Sequence, residues 1–506
     1  MPKEIDNLHF FNIEASVYES ECMIPGKQLK ASGEKFMSLR LLLMTTVILV
    51  SGACSSDSDT SAKQATVGAD SRYIPEPYIK LEHPEWSRKA AMYQINTRQF
   101  TPEGTFKAAQ EQLPRLQAMG IDILWLMPIH PIGEKNRKGT LGSPYSVKDY
   151  YAVNPEFGSE EDFRAFVDAA HELGMRVILD WVANHSAWDN PLVEQHPEWY
   201  SRDWRGEFHP TPWWDWTDII DFDYSQPGIR EYMTEAMKYW VAEFGVDGYR
   251  CDVAGYVPID FWNNLRRELD AIKPVFMLAE WEERDLHREA FDMTYGWSWT
   301  GPARAIALGQ ATAPALFDFY VKTGESWPAD AYRMVGTANH DYNSWEGTAR
   351  EHFGDNLENM TVLSVVGTGF PTVYNGQEGG NDKRLEFFEK DPIVWRDDPM
   401  EDLYTSLFTL LEQNSALWHG DQGGKMIRVW TDKTDEVFSF SRDNGTDKVL
   451  ALLNFTAENQ TVTLNDGPAA GEYTDYFSGE RLTLELGDQL DILANQWRVL
   501  VRQPQG

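Results

Sequence analysis

Short apolar runs alternate with amphipathic stretches along the middle of the chain. Residues 121–128 and 275–280 are almost continuously apolar, which is typical of parallel strands that are buried on both faces. Between such runs, as at residues 159–173, apolar side chains recur at the spacing of a helix that packs one face on a core. Strands that alternate with helices in this way predict an α/β fold with a parallel sheet.

The alternation continues for long enough to close a barrel. Helices are predicted at residues 106–119, 159–173 and 226–244. We therefore predict a (β/α)8 TIM barrel over residues 78–417. Its eight strands are predicted at residues 92–96, 121–128, 175–181, 246–253, 275–280, 291–295, 332–339 and 370–374.

Two regions depart from this rhythm. Residues 186–224 hold six tryptophans among prolines and charges, and we interpret them as a short B domain inserted after the third strand. Residues 418–506 are predicted to form a C-terminal antiparallel β-sandwich domain, because the apolar pattern changes there from helical to alternating. Its clearest strands are predicted at residues 426–430, 437–440, 449–454 and 497–501.

The beginning of the chain resembles a targeting segment followed by a tether. A run of apolar residues at 41–50 follows basic residues and precedes small ones, an order that is typical of a secretory signal. We interpret residues 1–54 as this signal, with Met37 as the true start, and Cys54 as the lipid-modified cysteine of a bacterial lipoprotein. Residues 55–77 are then a disordered tether that holds the protein at the cell envelope, periplasmic or surface-exposed. Secretion after ordinary signal cleavage is the alternative.

Composition and charge restrict the partners. The 506 residues suffice for a large barrel and a smaller domain. A net charge of −34 argues against nucleic acid as a partner, because phosphates would be repelled. The same charge suits a neutral ligand such as a sugar, but its ordinary explanation is a solvated acidic surface. The only membrane contact that we predict is through the lipid anchor.

Four acidic residues lie at intervals that match the barrel. A strand, loop and helix together take about 30 residues. The intervals between Asp180, Asp252, Glu280 and Asp341 then correspond to one unit plus an insertion, one unit and two units. Each acid falls at the carboxyl end of a strand, which is the rim where barrels of this kind carry their chemistry. Paired carboxyls at one such site are the groups that cleave glycosidic bonds.

Two of the acids have contrasting surroundings. Arg250 and Asp252 are two residues apart in a strand and point to one face, so we expect the guanidinium to hold Asp252 ionised. Glu280 ends an apolar strand and precedes Trp281, so we expect desolvation to raise its pKa and keep it protonated. For Arg250 and Asp252, the ordinary alternative is a structural ion pair. For Glu280, it is a glutamate at a strand end that faces water.

Histidines, asparagine and tryptophans add to the rim. Asn184, His185 and His340 supply hydrogen-bonding groups beside the acids, although lone histidines are often core residues. No metal site is predicted, because no close His or Cys spacing accompanies them. The tryptophans of residues 186–224 either stack on sugar rings or pack the inserted domain.

At these residues the chain resembles the α-amylase family of retaining glycoside hydrolases, glycoside hydrolase family thirteen. The likeness runs from about residue 88 to the C-terminus and preserves the order of several short motifs. The motifs that carry it are residues 120–128, Asp180 to His185, Arg250 with Asp252, Glu280, His340 with Asp341, and residues 369–378.

The resemblance implies a role for each acid and for one tyrosine. Asp252 would be the nucleophile, Glu280 the general acid and base, and Asp341 the acid that binds hydroxyls of the distorted sugar. Tyr145 would stack under the reacting glucose.

The resemblance also assigns supporting residues. His185, Arg250 and His340 would contact the sugar at the reacting position, and Asp180 would support Arg250. Asn184 matches a calcium-ligating asparagine of many relatives, but the sequence supplies no recognisable further ligands, so no cofactor is required and calcium stays open.

One segment departs from the family pattern. Residues 253–256 follow Asp252 without the Lys-His pair that many α-amylases carry there, and the insertion is short. The expected activity is hydrolysis of α-1,4-glucosidic bonds in starch, glycogen or maltooligosaccharides with retention of configuration. An α-glucosidase, a cyclomaltodextrinase or a neopullulanase-like enzyme is the alternative. A more remote alternative is a surface protein that binds glucans through a barrel without catalytic activity. It is remote because inactive barrels of this kind usually lack a catalytic acid, and all three acids are present here.

Overall fold

The computed structural model describes Ile74 and residues 76–502. The predicted signal segment, residues 1–54 with Cys54, lies outside the described residues. So does the predicted tether, except for Ile74, Glu76 and Pro77. The signal, the lipid-modified cysteine and the disordered tether therefore stay predictions. No helix among the described residues is both long and apolar enough to cross a membrane.

Eight parallel strands form a closed barrel, as predicted. They are numbered β1 to β8 in chain order, and β1 pairs with both β2 and β8. Each observed strand lies within its predicted range. The strands are β1 Met92–Ile95, β2 Ile123–Leu126, β3 Arg176–Trp181, β4 Gly248–Cys251, β5 Phe276–Ala279, β6 Met293–Tyr295, β7 Tyr332–Val335 and β8 Phe370–Tyr374.

Helices surround the barrel and cover its apolar outer face. Ser159 begins one of them with a capping box, since its side chain accepts from the Asp162 N–H and Asp162 accepts from Ser159. The α-helices are Thr97–Phe100, Phe106–Gln110, Leu113–Met119, Glu160–Glu172, Leu192–Gln195, Pro227–Phe244, Ile259–Asp270, Trp297–Ala307, Phe317–Glu325, Ala349–Phe353, Leu357–Val366 and Pro399–Gln413.

One helix prediction was wrong in detail. Residues 106–119 form two helices, Phe106–Gln110 and Leu113–Met119, instead of one. Pro114 lies at the start of the second helix, where its missing N–H costs nothing. Inside a continuous helix the proline ring would clash with the carbonyl of Gln110, so the chain breaks there.

The insertion after β3 is small and built on a hairpin. His185–Ala187 pairs antiparallel with Ile219–Asp221, and short helical turns at Leu192–Gln195 and Pro197–Trp199 lie between them. The hairpin begins directly at the carboxyl end of β3, so it holds the insertion beside the barrel rim.

The C-terminal region forms two antiparallel sheets, as predicted. Arg442 and Asn454 tie it to the barrel: the Arg442 Nη1 donates to the Gly367 carbonyl over 2.7 Å, and the Asn454 carbonyl accepts from Asn359 over 2.7 Å. The strands are Lys425–Arg428, Trp430–Thr431, Val437–Asp443, Lys448–Asn454, Gln460–Asp466, Gly471–Asp475, Arg481–Leu484, Gln489–Ile492 and Trp497–Arg502.

A buried ion-pair network lies near the amino-terminal ends of the barrel strands. His83 Nδ1 lies 2.7 Å from an Asp292 carboxylate oxygen, and its Nε2 lies 2.7 Å from the Asp330 carbonyl. Asp292 also accepts from Arg266 over 2.8 Å. Burial alone would lower the pKa of His83, but the hydrogen bonds and charges of Asp292 and Asp330 outweigh it and raise the pKa to about 9.

This network makes stability depend on pH. The folded pKa of His83 is about 9, above its unfolded value of 6.5, so its contribution is complete below the unfolded pKa and is lost as pH rises through about 9. We expect the free energy of unfolding of wild type relative to His83→Gln to fall by about 3 kcal/mol across that window. Denaturant titrations at several pH values measure this difference, and a difference that stays constant with pH would contradict it.

Candidate active site

A single buried guanidinium gathers the carboxyls at the barrel rim. Arg250 lies in β4 beside Asp180 of β3, its paired residue in the sheet register. Its Nη1 donates to Asp180 Oδ1 over 2.8 Å and to Asp252 Oδ1 over 3.0 Å. Its Nη2 lies 3.0 Å from Glu280 Oε1. The side chains predicted from separate strand ends therefore converge on one point.

The turn after Asp252 brings Glu280 close to it. Val253 adopts a left-handed backbone conformation with φ of 37°, which is unfavourable for a β-branched residue. Its N–H donates to Glu280 Oε2 over 2.7 Å. Strain of this kind is retained where the surrounding structure requires the geometry. Here it places the backbone that follows Asp252 directly against the Glu280 carboxyl.

Asp341 completes the cluster from the segment after β7. Its Oδ2 lies 3.4 Å from His340 Nε2. Burial raises the pKa of Asp341 to about 6, the charge of Arg250 opposes this increase, and the side chain of Trp345 hydrogen-bonds the carboxyl. Asp341 also adds to the negative charge felt by Asp252 and Glu280.

The expectation that Arg250 holds Asp252 ionised was wrong. Burial and the charge of Glu280 raise the pKa of Asp252 well above its usual range, and Arg250 only reduces this increase. The reason is that one guanidinium faces Asp180, Glu280 and Asp341 as well. The pKa of Glu280 is also raised by burial, in the predicted direction. The two carboxyls therefore titrate as a coupled pair that retains a proton more readily than free acids.

Tyr145 and His340 form one wall of the site. The Tyr145 hydroxyl donates to Asp180 Oδ2 over 2.9 Å and lies 2.7 Å from His340 Nε2, and the two rings stack with centroids 5.4 Å apart. Gln94 Nε2 lies 2.7 Å from His340 Nδ1 and fixes the imidazole. Burial lowers the pKa of His340 to about 3, so the ring is neutral. Phe387 extends this wall, with its ring 6.2 Å from that of Tyr145.

His185 lies on the Asp252 side, and Asn184 does not reach the carboxyls. His185 Nε2 is 3.9 Å from Asp252 Oδ2, and burial lowers the His185 pKa to about 3. Asn184 Nδ2 contacts His185 Nδ1 and Asp221 Oδ1, both over 3.2 Å. Asn184 therefore holds His185 and the inserted hairpin in place.

The residues around Asn184 do not fit a calcium site. Thr211 and Asn184 both donate to the same oxygen of Asp221, so these three side chains satisfy one another. Calcium takes roughly six to eight oxygen ligands, several of them carboxylates. Among the described residues no group of three or more His, Cys, Asp or Glu side chains has an arrangement that could hold a metal ion.

Two aromatic residues that hold the centre had no predicted role. The Tyr295 hydroxyl accepts from Arg250 Nη2 over 3.1 Å and from Nε over 3.3 Å. Trp125 Nε1 donates to Asp180 Oδ2 over 3.1 Å. Both lie in barrel strands whose patterns resemble ordinary core. The sequence signal that could have identified them is a Tyr or Trp inside a predicted strand, because the hydroxyl or N–H of a buried aromatic side chain needs a hydrogen-bond partner.

Comparisons with known proteins identify the family of the chain. Residues 58–422 match the family model described as alpha amylase, catalytic domain, and residues 429–489 match alpha amylase, C-terminal all-beta domain. A relative named alpha-amylase MalA, from Haloarcula japonica, is 26% identical over 417 residues, or 78% of this chain. The chain spans 59% of the length of that relative.

Two solved structures resemble the chain over most of its length. A noncanonic maltogenic alpha-amylase AmyB from Thermotoga neapolitana is 32% identical, with a TM-score of 0.75 over 82% of this chain and 98% of that one. An alpha-amylase from Lactobacillus plantarum is 30% identical, with a TM-score of 0.73 over 83% of this chain and 100% of that one.

Proposed function

Because the chain belongs to the α-amylase family of glycoside hydrolases, we propose that this glycosidase hydrolyses α-1,4-glucosidic bonds in starch, glycogen or maltooligosaccharides with retention of configuration. The observation that carries the proposal is the convergence of Asp252 and Glu280 on the two terminal nitrogens of Arg250. Two carboxyls held at one site are what double displacement at an anomeric carbon needs.

Each carboxyl has one task in the first step. Glu280 gives its proton to the glycosidic oxygen as the bond to the anomeric carbon breaks, and Asp252 attacks that carbon with its carboxylate oxygen. The two carboxyls together retain a proton, and this mechanism requires the proton to lie on Glu280 and Asp252 to be ionised once the sugar is bound. In the second step Glu280 takes a proton from water, whose oxygen replaces Asp252 on the carbon.

The wall residues position the sugar. Asp341 would accept hydrogen bonds from sugar hydroxyls, and neutral His185 would offer its Nε2 to another. Both ring nitrogens of His340 are engaged by Gln94 and Tyr145, so His340 holds the wall in place. The Tyr145 ring, stacked on His340, would support the apolar face of the reacting glucose. Asp180 holds Arg250 in place through a 2.8 Å hydrogen bond and needs no contact with substrate.

A second activity is favoured by a specific feature. Residues 253–256 read Val-Ala-Gly-Tyr, without the charged pair expected of many α-amylases, and the inserted domain is short. An enzyme that prefers short or cyclic maltooligosaccharides, or pullulan, fits these features, and one similar structure is named maltogenic.

The product profile tests both activities. We expect reducing sugar to be released from soluble starch and maltotriose, with products that retain the α configuration. Cleavage of pullulan or cyclomaltodextrins in preference to starch would favour the second activity. A folded protein that binds starch and releases no sugar from any of these substrates would contradict both and favour a glucan-binding protein.

Tyr295→Phe tests the support of Arg250. The substitution leaves two buried guanidinium N–H groups without their acceptor. Loss of one buried hydrogen-bond partner costs about 1–3 kcal/mol, so we expect kcat to fall by about tenfold. KM should change little, because Tyr295 is buried and acts on the carboxyls only through Arg250. Steady-state kinetics on maltooligosaccharides measure the split, and an unchanged kcat would contradict the role.

We also propose that the mature chain is anchored through a lipid on Cys54. The sequence pattern around this cysteine supports the proposal. Cys54→Ser should move the protein from the membrane fraction to the soluble fraction of cells. An unchanged distribution would contradict the anchor.

A further inference from the structure

A glutamine inside the first barrel strand is in contact with the wall of the site. Gln94 belongs to β1, and Met92, on the same face of that strand, packs among the side chains that fill the barrel. Gln94 is completely buried. A buried side-chain amide needs partners for both its oxygen and its nitrogen. Gln94 finds both in one residue, His340, of the segment after β7.

The two contacts between Gln94 and His340 leave one orientation for the amide. The His340 backbone N–H lies 3.2 Å from Gln94 Oε1 and can only donate, so this amide atom has to be the acceptor. The other amide atom is then the nitrogen, which donates to His340 Nδ1 over 2.7 Å. Nδ1 therefore carries a lone pair. Since the ring is neutral, its proton lies on Nε2.

The proton on Nε2 sets the direction of the hydrogen bonds that follow. His340 Nε2 lies 2.7 Å from the Tyr145 hydroxyl, so its N–H donates to that oxygen. The Tyr145 hydroxyl is then free to donate to Asp180 Oδ2 over 2.9 Å. The donors therefore run in one direction, from the Gln94 amide through the imidazole and the phenol to the Asp180 carboxylate.

Asp180 depends on the donor at the end of this chain. Its Oδ2 accepts from Trp125 as well as from Tyr145, and its Oδ1 accepts from Arg250. Burial raises the pKa of Asp180 to about 6, and the hydrogen bonds of Arg250 and Tyr145 oppose this increase. With the other tautomer of His340, Tyr145 would donate to the imidazole and turn a lone pair toward Asp180. That arrangement favours a protonated, neutral Asp180, which attracts the Arg250 guanidinium less strongly.

We infer that Gln94 is a positioning residue whose amide sets the tautomer of His340 and so keeps Asp180 ionised. Through Asp180 it holds the Arg250 guanidinium in place against the catalytic carboxyls. The side chain of Gln94 acts through His340, because it is buried and both of its polar atoms face that residue. The effect on catalysis rests on the proposed function, whereas the tautomer does not.

NMR of the imidazole nitrogens tests the tautomer without any substrate. In long-range 1H–15N spectra, protonated and unprotonated ring nitrogens have widely separated 15N shifts. We expect His340 to show a protonated Nε2 and an unprotonated Nδ1, with its signals identified by their loss in His340→Gln. A His340 ring that is protonated on Nδ1 would overturn the inference, whatever the activity of the enzyme.

Two substitutions separate a proton donor from a spacer of the same length. Gln94→Met removes both hydrogen bonds, so kcat should fall by about tenfold with little change in KM. In Gln94→Glu, a protonated carboxyl can still donate to Nδ1 and accept from the backbone N–H of His340. An ionised carboxyl can only accept, so it draws the imidazole proton to Nδ1. Burial should raise the pKa of the introduced carboxyl, so that it titrates in an accessible pH range.

The kcat of Gln94→Glu relative to wild type should therefore fall by about tenfold as pH rises from about 5 to about 8. The charged groups that act on His340 are Arg250, Glu280 and Asp341, and they are present in both proteins, so the ratio removes their own titration. An added negative charge alone would have the opposite effect, because it would keep Glu280 protonated to higher pH.

The control and the outcomes separate this role from the proposed function. Gln460→Glu adds the same charge in a strand of the C-terminal sheets and should keep a constant ratio to wild type. A Gln94→Glu ratio that is constant or rises with pH would overturn the inference, and so would wild-type kcat in Gln94→Met. Melting temperatures show whether each variant is folded. If the wild-type protein cleaves no glucan, the proposed function fails, while the NMR spectra still decide the tautomer.

Discussion

Asp252→Asn is expected to abolish starch hydrolysis while the protein remains folded. The amide keeps the shape of the side chain and its contact with Arg250, but it lacks the anionic oxygen that attacks the anomeric carbon. Without this nucleophile the covalent route is closed, so kcat should fall by at least about 10⁴-fold. Reducing-sugar release on starch measures the loss, and circular dichroism with a melting curve measures the fold.

A matched substitution controls for the loss of an acid. Asp260 pairs with Arg230 on an outer helix, away from the cluster, so Asp260→Asn should keep nearly full activity. If Asp252→Asn retained activity within a factor of ten of wild type, another group would have to be the nucleophile.

Glu280→Gln is expected to reduce activity strongly on substrates whose leaving group must be protonated, and much less on substrates whose leaving group departs without a proton. An amide donates no proton to a departing sugar oxygen, so kcat/KM on maltooligosaccharides should fall by about 10³-fold or more. Fluoride departs without such help, so formation of the covalent intermediate from α-maltosyl fluoride should be far less affected. Pre-steady-state fluoride release measures this step.

The pH profile gives an independent reading of the same substitution. Burial raises the pKa of Glu280, and we expect the wild-type enzyme to lose activity at high pH, where this group loses its proton. In Glu280→Gln the high-pH limb should disappear from the residual activity. An equal loss on both kinds of substrate, with the limb intact, would reject Glu280 as the proton donor.

The positions of the acids could be predicted because they depend on the chain alone. Asp180 lies near the end of β3, Asp252 and Glu280 directly follow β4 and β5, and Asp341 lies in the segment after β7. All four therefore lie at the rim where the carboxyl ends of parallel strands meet. Arg250 in β4 and Asp252 directly after it share a face because they are two residues apart along an extended segment. The closed barrel, the insertion and the C-terminal sheets follow from hydrophobic patterns of the same local kind.

The protonation state of the acids could not be predicted from the sequence in the same way. The pKa of Asp252 depends on how many carboxyls surround Arg250, which only the three-dimensional arrangement reveals. Tyr295 and Trp125 resemble core residues until their polar atoms are seen beside Arg250 and Asp180. The Phe387 ring reaches Tyr145 from a long segment after β8 that has no periodic pattern. In each case the information lies in contacts between distant parts of the chain.

The most direct test of the mechanism is to trap the sugar on the protein. A 5-fluoro-α-glucosyl fluoride forms the covalent intermediate faster than water resolves it, and digestion followed by mass spectrometry locates the attached sugar. Attachment to the peptide that contains Asp252, at the Asp252 carboxylate, is the result expected of two carboxyls that meet at one anomeric carbon. Attachment to a different residue, or a β-configured product with no trapped intermediate, would contradict the account.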